Sequence, residues 1–188
     1  MSEKHLHIIS LDVPWPANYG GVIDIYYKAK ALSEAGVKVH LHCFEYGRGI
    51  ADHLDFCYQV HYYKRDTSIS RHISRYPYIV VSRKSEELVE NLLKDNYPIL
   101  CEGLHSTAVL MDRRLSDRKV FVRTHNIEHD YYMSLAKAES VLWKNLFFKV
   151  EASKLKRYES VLERADAVFA ISQKDTRYFS SKFQNVQW

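Results

Sequence analysis

Residues 123–132 read RTHNIEHDYY and place His125, Glu128 and His129 in the order HxxEH. Two imidazoles and a carboxylate at this spacing can hold a zinc ion, provided that a helix runs through all five positions and turns both rings to one face. The flanking residues argue against that. KVFVRT, just upstream, is β-branched and aromatic, so His125 falls at the carboxyl end of a strand, while Asn126 is a natural cap for a helix beginning near Ile127. The two rings then belong to different elements and no metal is expected between them. A neutral imidazole at a strand end can instead accept from or donate to a hydroxyl and support charge that develops in a reaction.

The loop PWPANYGG supplies a second candidate. Gly20 and Gly21 lack a Cβ, so a phosphate can approach the backbone amides at the start of the following helix, where the helix dipole favours negative charge. The string is neither GxGxxG nor a P-loop, and a tight turn explains the two glycines equally well. Trp15 and Tyr19 can stack on a sugar, although aromatics beside proline are more often simply packed. The HLH strings pair His5 with His7 and His40 with His42 on one face of their strands, which reads as half-buried strand histidines rather than a metal site.

These groups need elements to hold them. LHIISL reads as a buried strand, VIDIYYKAKALSEAG as a helix closed by Gly36, and VKVHLHCF as a second, parallel strand. CYQVHYY, YPILCEG, KVFVRT and ADAVFAIS follow as further strands, with SEELVENLLKDN as a helix. This alternation predicts an α/β fold: a doubly wound, mostly parallel sheet with helices on both faces. Between Asp130 and Arg164 no Gly or Pro interrupts a helical pattern carried by Leu135, Leu142, Leu146, Val150, Leu155, Tyr158 and Leu162.

The totals limit the options. A chain of 188 residues with 46% hydrophobic and 27% charged residues is one ordinary globular domain. Its net charge of +4 permits contact with phosphates or an anionic membrane surface but falls short of a nucleic-acid footprint. Three cysteines without a CxxC and an amino terminus without a leader or spanning segment point to a cytoplasmic protein, with peripheral contact at the inner face of the membrane allowed. Cations concentrate at Lys64, Arg65, Arg71, Arg75, Arg83 and Lys84 against one acid, Asp66, so this segment is expected to meet anionic lipid or a phosphate-bearing acceptor; a solvated charged loop is the competing reading.

Taken in order, the glycine loop, CEGLHST, VFVRTHNIEHDYY, the long helix and ADAVFAISQKD resemble the N-terminal domain of retaining GT-B glycosyltransferases of family four. The resemblance covers nearly the whole chain. It implies a Rossmann-like domain over residues 1–188 that forms the acceptor side of a sugar transferase, moving a sugar from a nucleotide-sugar donor to a sugar or lipid-linked acceptor with retention. By the same resemblance Gly20 and Gly21 approach the donor diphosphate, His125 lies beside the transferred sugar, and Glu102 and Gly103 belong to the cleft wall. Asn126 and Glu128 share the His125 turn. The family's nucleotide-sugar domain, with its EX7E pair, is expected beyond this chain. Glu151 and Glu159 match that spacing formally but read as an exposed pair two turns apart on a helix. No DxD string occurs, so no metal or other cofactor is expected. The alternative is a non-catalytic carbohydrate or nucleotide-sugar binding module.

Overall fold

The computed structural model describes residues 3–188. Seven strands form one sheet in the order β3-β2-β1-β4-β5-β6-β7: β1 (Lys4–Ser10), β2 (Val37–Glu45), β3 (Gln59–Lys64), β4 (Ile99–Glu102), β5 (Val120–Thr124), β6 (Ala167–Ala170) and β7 (Val186–Gln187). Every pairing is parallel. The sheet is therefore wholly parallel, and all the strand ends that carry chemistry lie along one edge.

Period two sorts the side chains. Ile8, Leu41, Cys43 and Leu100 point to the face covered by α1 (Gly20–Glu34). Gly36, with φ +84°, ends the approach to β2 in a conformation that a residue with a Cβ rarely adopts. The other face carries Ile9, Phe44, Ile99, Cys101, Val120, Val122 and Val168. Helices α2 (Ile69–His72), α3 (Tyr78–Val81), α4 (Glu86–Leu92), α5 (Glu128–Ala138), α6 (Leu142–Tyr158) and α7 (Gln173–Ser180) complete the chain. Ile79, Val80, Leu88, Leu92, Leu155 and Phe179 from these helices join that second core. Each such side chain taken fully out of water contributes about 1.5–3 kcal/mol. Ser85 caps α4 by accepting the Leu88 amide, and Ser172 caps α7 by accepting that of Asp175.

Three expectations are corrected. The helical stretch after Asp130 is a hairpin, although neither Gly nor Pro breaks it. The Asn145 amide donates to the Ala136 carbonyl and the Glu139 carboxylate accepts the Val141 amide, so side chains satisfy the groups that a continuous helix would pair. Leu142, Leu146 and Val150 on α6 are exposed. Glu151 and Glu159 are buried rather than exposed: Glu151 pairs with Lys154 and accepts the Tyr78 amide, while Glu159 accepts from His129, Tyr178 and Lys182.

The strand histidines share one face, as the period requires, but three of them, His7, His40 and His42, are deeper than half-buried. His7 joins His42 at 2.8 Å and Asp95 at 3.0 Å, His5 joins His40 at 2.9 Å, and His42 reaches the Tyr63 hydroxyl at 2.8 Å. Burial outweighs the Asp95 carboxylate and lowers the His7 pKa to about 4, so the ring is neutral at pH 7 and can both donate and accept.

Candidate active site

At the carboxyl edge, β4 ends in Glu102 and β5 in Arg123 and Thr124, and Glu102 stands opposite Arg123 in the ladder. Both side chains therefore point to the α1 face. The α1 residues Asp24 and Lys28, one turn apart, meet them there. Glu102 is fully buried and accepts Lys28 Nζ at 2.6 Å on one oxygen; its other oxygen lies 3.0 Å from His125 Nε2. Lys28 also donates to Asp24 at 2.8 Å, and Arg123 closes the chain with two bonds to Asp24 at 2.9 and 3.0 Å. Burial alone would raise the Asp24 pKa, but Lys28 and Arg123 outweigh it and hold the carboxyl below its usual range. The result is a charge-balanced run, Arg123–Asp24–Lys28–Glu102–His125.

This run fixes the chemistry of His125. The Glu102 carboxylate can only accept, so His125 Nε2 carries the proton and a neutral ring keeps its lone pair on Nδ1. The side chain is 10% exposed. Ligand atoms of Asp24, Glu102 and His125 lie within 4.8 Å of one another, close enough for a metal. Lys28 and Arg123 already occupy these carboxylates, so an ion there would have to displace an ammonium group.

Gly103 follows Glu102 with φ +73°, and a Cβ added to it would stand 3.1 Å from His105 Nδ1 and 3.4 Å from His125 Cδ2. Backbone thus packs where a side chain would dislodge the imidazole. Gly103→Ala should lower stability by about 1–3 kcal/mol and shift the His125 ring resonances; urea unfolding and histidine NMR measure the two effects.

Leu11 ties this corner to the glycine loop, because its Cδ2 is the near neighbour of both Gly103 and Gly21. A Cβ on Gly20 would meet nothing within 4 Å. The first turn of α1 has no side-chain cap and no acidic residue, so its amides face the sheet edge unpaired by side chains. Tyr19 donates its hydroxyl to Asp12 and lies under the Arg48 guanidinium. Trp15 packs against Tyr26 and His53. Of the two loop aromatics, Tyr19 is the more open.

Beside His125 lies a second polar cluster. Glu128 is buried, its Oε1 has no partner, and His105 Nδ1, also buried and unpartnered, is 3.9 Å away. Asn126 does not cap α5, whose cap position is Ile127 and whose start has no side-chain cap bond. Burial raises the Glu128 pKa to about 7 against the opposing pull of Asn126 and Arg83. Arg83, which the sequence groups with the basic segment around Lys64 and Arg71, is buried and donates to the Leu11 and Ile79 carbonyls at 2.7 Å each.

The raised pKa has a signed consequence. Between the unfolded value near 4.5 and the folded value near 7 the native state binds the extra proton, so stability falls as pH rises through this window. Glu128→Gln should flatten that slope and gain on the order of 2–3 kcal/mol above pH 7. Denaturant midpoints from pH 5 to pH 8 would show it, and parallel curves for the two proteins would refute it.

His129 lies apart from His125, in α5, with Nδ1 2.5 Å from Glu159. The HxxEH string is therefore divided between two carboxylates on different elements.

No family model matches the chain. Over 152 residues, 77% of the chain, it is 28% identical to a Klebsiella pneumoniae protein described as "Uncharacterized 44.6 kDa protein in cps region". The chain spans 39% of that relative's length.

Proposed function

We propose that the chain is the acceptor-side domain of a retaining glycosyltransferase of the GT-B family-four type, acting in the synthesis of a surface polysaccharide or glycolipid. The observation that carries this reading is the Glu102–His125 pair at the carboxyl edge, joined through Leu11 to the uncapped, glycine-bearing start of α1. The relative's place in a cps region, read as a capsular polysaccharide locus, supports the substrate class.

In this reading the amides at Gly20 and Gly21 take the donor diphosphate, whose charge the helix dipole favours. The His125 edge faces the transferred sugar: Glu102 holds Nε2–H, and the ring supports the charge that grows as the anomeric bond breaks. The donor base is held by a second Rossmann-like unit beyond these residues. Lys28 and Arg123 balance the Glu102 and Asp24 carboxylates, so the transfer as proposed uses no metal. The low exposure of His125 favours a second reading, a nucleotide-sugar or carbohydrate binding module without catalysis.

The test is a screen of nucleotide sugars for nucleoside diphosphate release by the protein extended through that second unit. Acceptor-dependent release supports transfer. Binding without release in any donor–acceptor combination supports the module.

A further inference from the structure

The surface formed by α6 and α2 has an unusual composition. Leu142, Leu146 and Val150 recur every four residues along α6 and are 87%, 62% and 45% exposed; Trp143 beside them is 69% exposed. At 100° per residue the same outward arc contains Lys149, Ser153, Lys156 and Arg157 and no carboxylate. The one acid of α6, Glu151, lies on the opposite side, buried and bonded to Lys154.

Helix α2 extends this surface. The His72 carbonyl accepts Lys154 Nζ at 3.1 Å and the His72 ring packs on Phe147, so α2 lies against α6. It adds Ile69, 80% exposed, and the residues just after it add Ile73, 82% exposed, and the exposed cation Arg75. The structure also redistributes the basic segment that the sequence groups together. Arg83 is buried, Arg65 lies over the Tyr46 and Tyr78 rings, and Arg71 pairs with Asp66. Much of that charge is engaged internally, whereas the α6 cations stand among exposed apolar side chains.

We infer that the α6–α2 surface docks on an anionic lipid membrane, with α6 lying in the interface. Six large apolar side chains at 45–87% exposure are costly in water, and a tryptophan with aliphatics bordered by lysine and arginine is the pattern of an interfacial helix. Charge complementarity selects the anionic surface, since every charged side chain of the outward arc is basic. No helix among the described residues is long and apolar enough to cross a membrane, so the contact is peripheral. The α5–α6 hairpin leaves the same sheet edge as His125. The inference does not depend on the proposed activity.

Sedimentation with vesicles of phosphatidylcholine alone, and mixed with phosphatidylglycerol, tests it at about 0.05 and about 0.5 M salt. The expected result is binding to the mixed vesicles at low salt, weaker by roughly tenfold or more at high salt and absent from neutral vesicles, with a blue shift in emission that Trp143→Phe removes. Leu142→Ser with Leu146→Ser, and separately Lys149→Glu with Arg157→Glu, should each weaken binding by roughly tenfold. Lys30→Glu, on α1 at the opposite face, should not. Circular dichroism of each variant checks the fold. Failure of the unmodified chain to sediment at low salt, or equal sedimentation with neutral vesicles, overturns the inference. So does a dimer in lipid-free solution that Leu142→Ser dissociates, which would make this surface an interface between two copies.

Discussion

Replacing Glu102 by alanine should lower the unfolding free energy of the chain by about 3 kcal/mol at pH 7, the low end of the range for breaking a buried ion pair. The carboxylate is fully buried, and its removal takes the acceptor from Lys28 Nζ and from His125 Nε2 at once. Lys28 keeps Asp24 as a partner, which is why the low end applies. Glu102→Gln should cost less, because the amide oxygen can still accept one of the two bonds. Urea denaturation gives the values directly. A loss below about 1 kcal/mol for Glu102→Ala would mean that water replaces the carboxylate and that the run of charges is not coupled.

The sheet was readable because its strands are short, continuous apolar runs bounded by turn residues, as strands covered on both faces must be. β4, β5 and β6 lie within the stretches that the apolar pattern predicts, whereas β1 begins two residues before its stretch and β2 and β3 each run one residue past theirs. The hairpin between α5 and α6 was not readable. Its break depends on Asn145 reaching back nine residues to the Ala136 carbonyl, a contact that local propensity does not encode. The exposure of Leu142 and Leu146 is likewise not encoded in their helical spacing.

The candidate site divides in a similar way. His125 and Glu102 could be placed at strand ends from the composition of KVFVRT and YPILCEG alone. Their contact could not, because it follows from β4 lying next to β5 in a register that sets Glu102 beside Arg123. Asp24 and Lys28 gave a weak local signal, an i,i+4 pair on α1, but their partners across the sheet edge are set by tertiary packing. Arg83 was grouped with the exposed cations of its segment. Only the fold shows that it turns inward to hold the Leu11 carbonyl.

The second large effect concerns His125. In the protein extended through the proposed second unit, His125→Ala should lower kcat by roughly ten- to a thousandfold, about 1.4–4 kcal/mol of barrier, while nucleotide affinity changes little. The ring is proposed to act on charge that exists mainly in the transition state, and the diphosphate is proposed to bind at α1, which the substitution leaves intact. His129→Ala should do much less, since Glu159 rather than Glu102 holds that ring.

The most direct measurement is therefore the pair of initial-rate constants for His125→Ala and His129→Ala in that extended protein, taken with nucleoside diphosphate affinities from calorimetry. The account predicts a kcat loss of at least about tenfold for His125→Ala alone, with both affinities near that of the unmodified protein. Equal losses for the two histidines, or an unchanged kcat in His125→Ala, would contradict it.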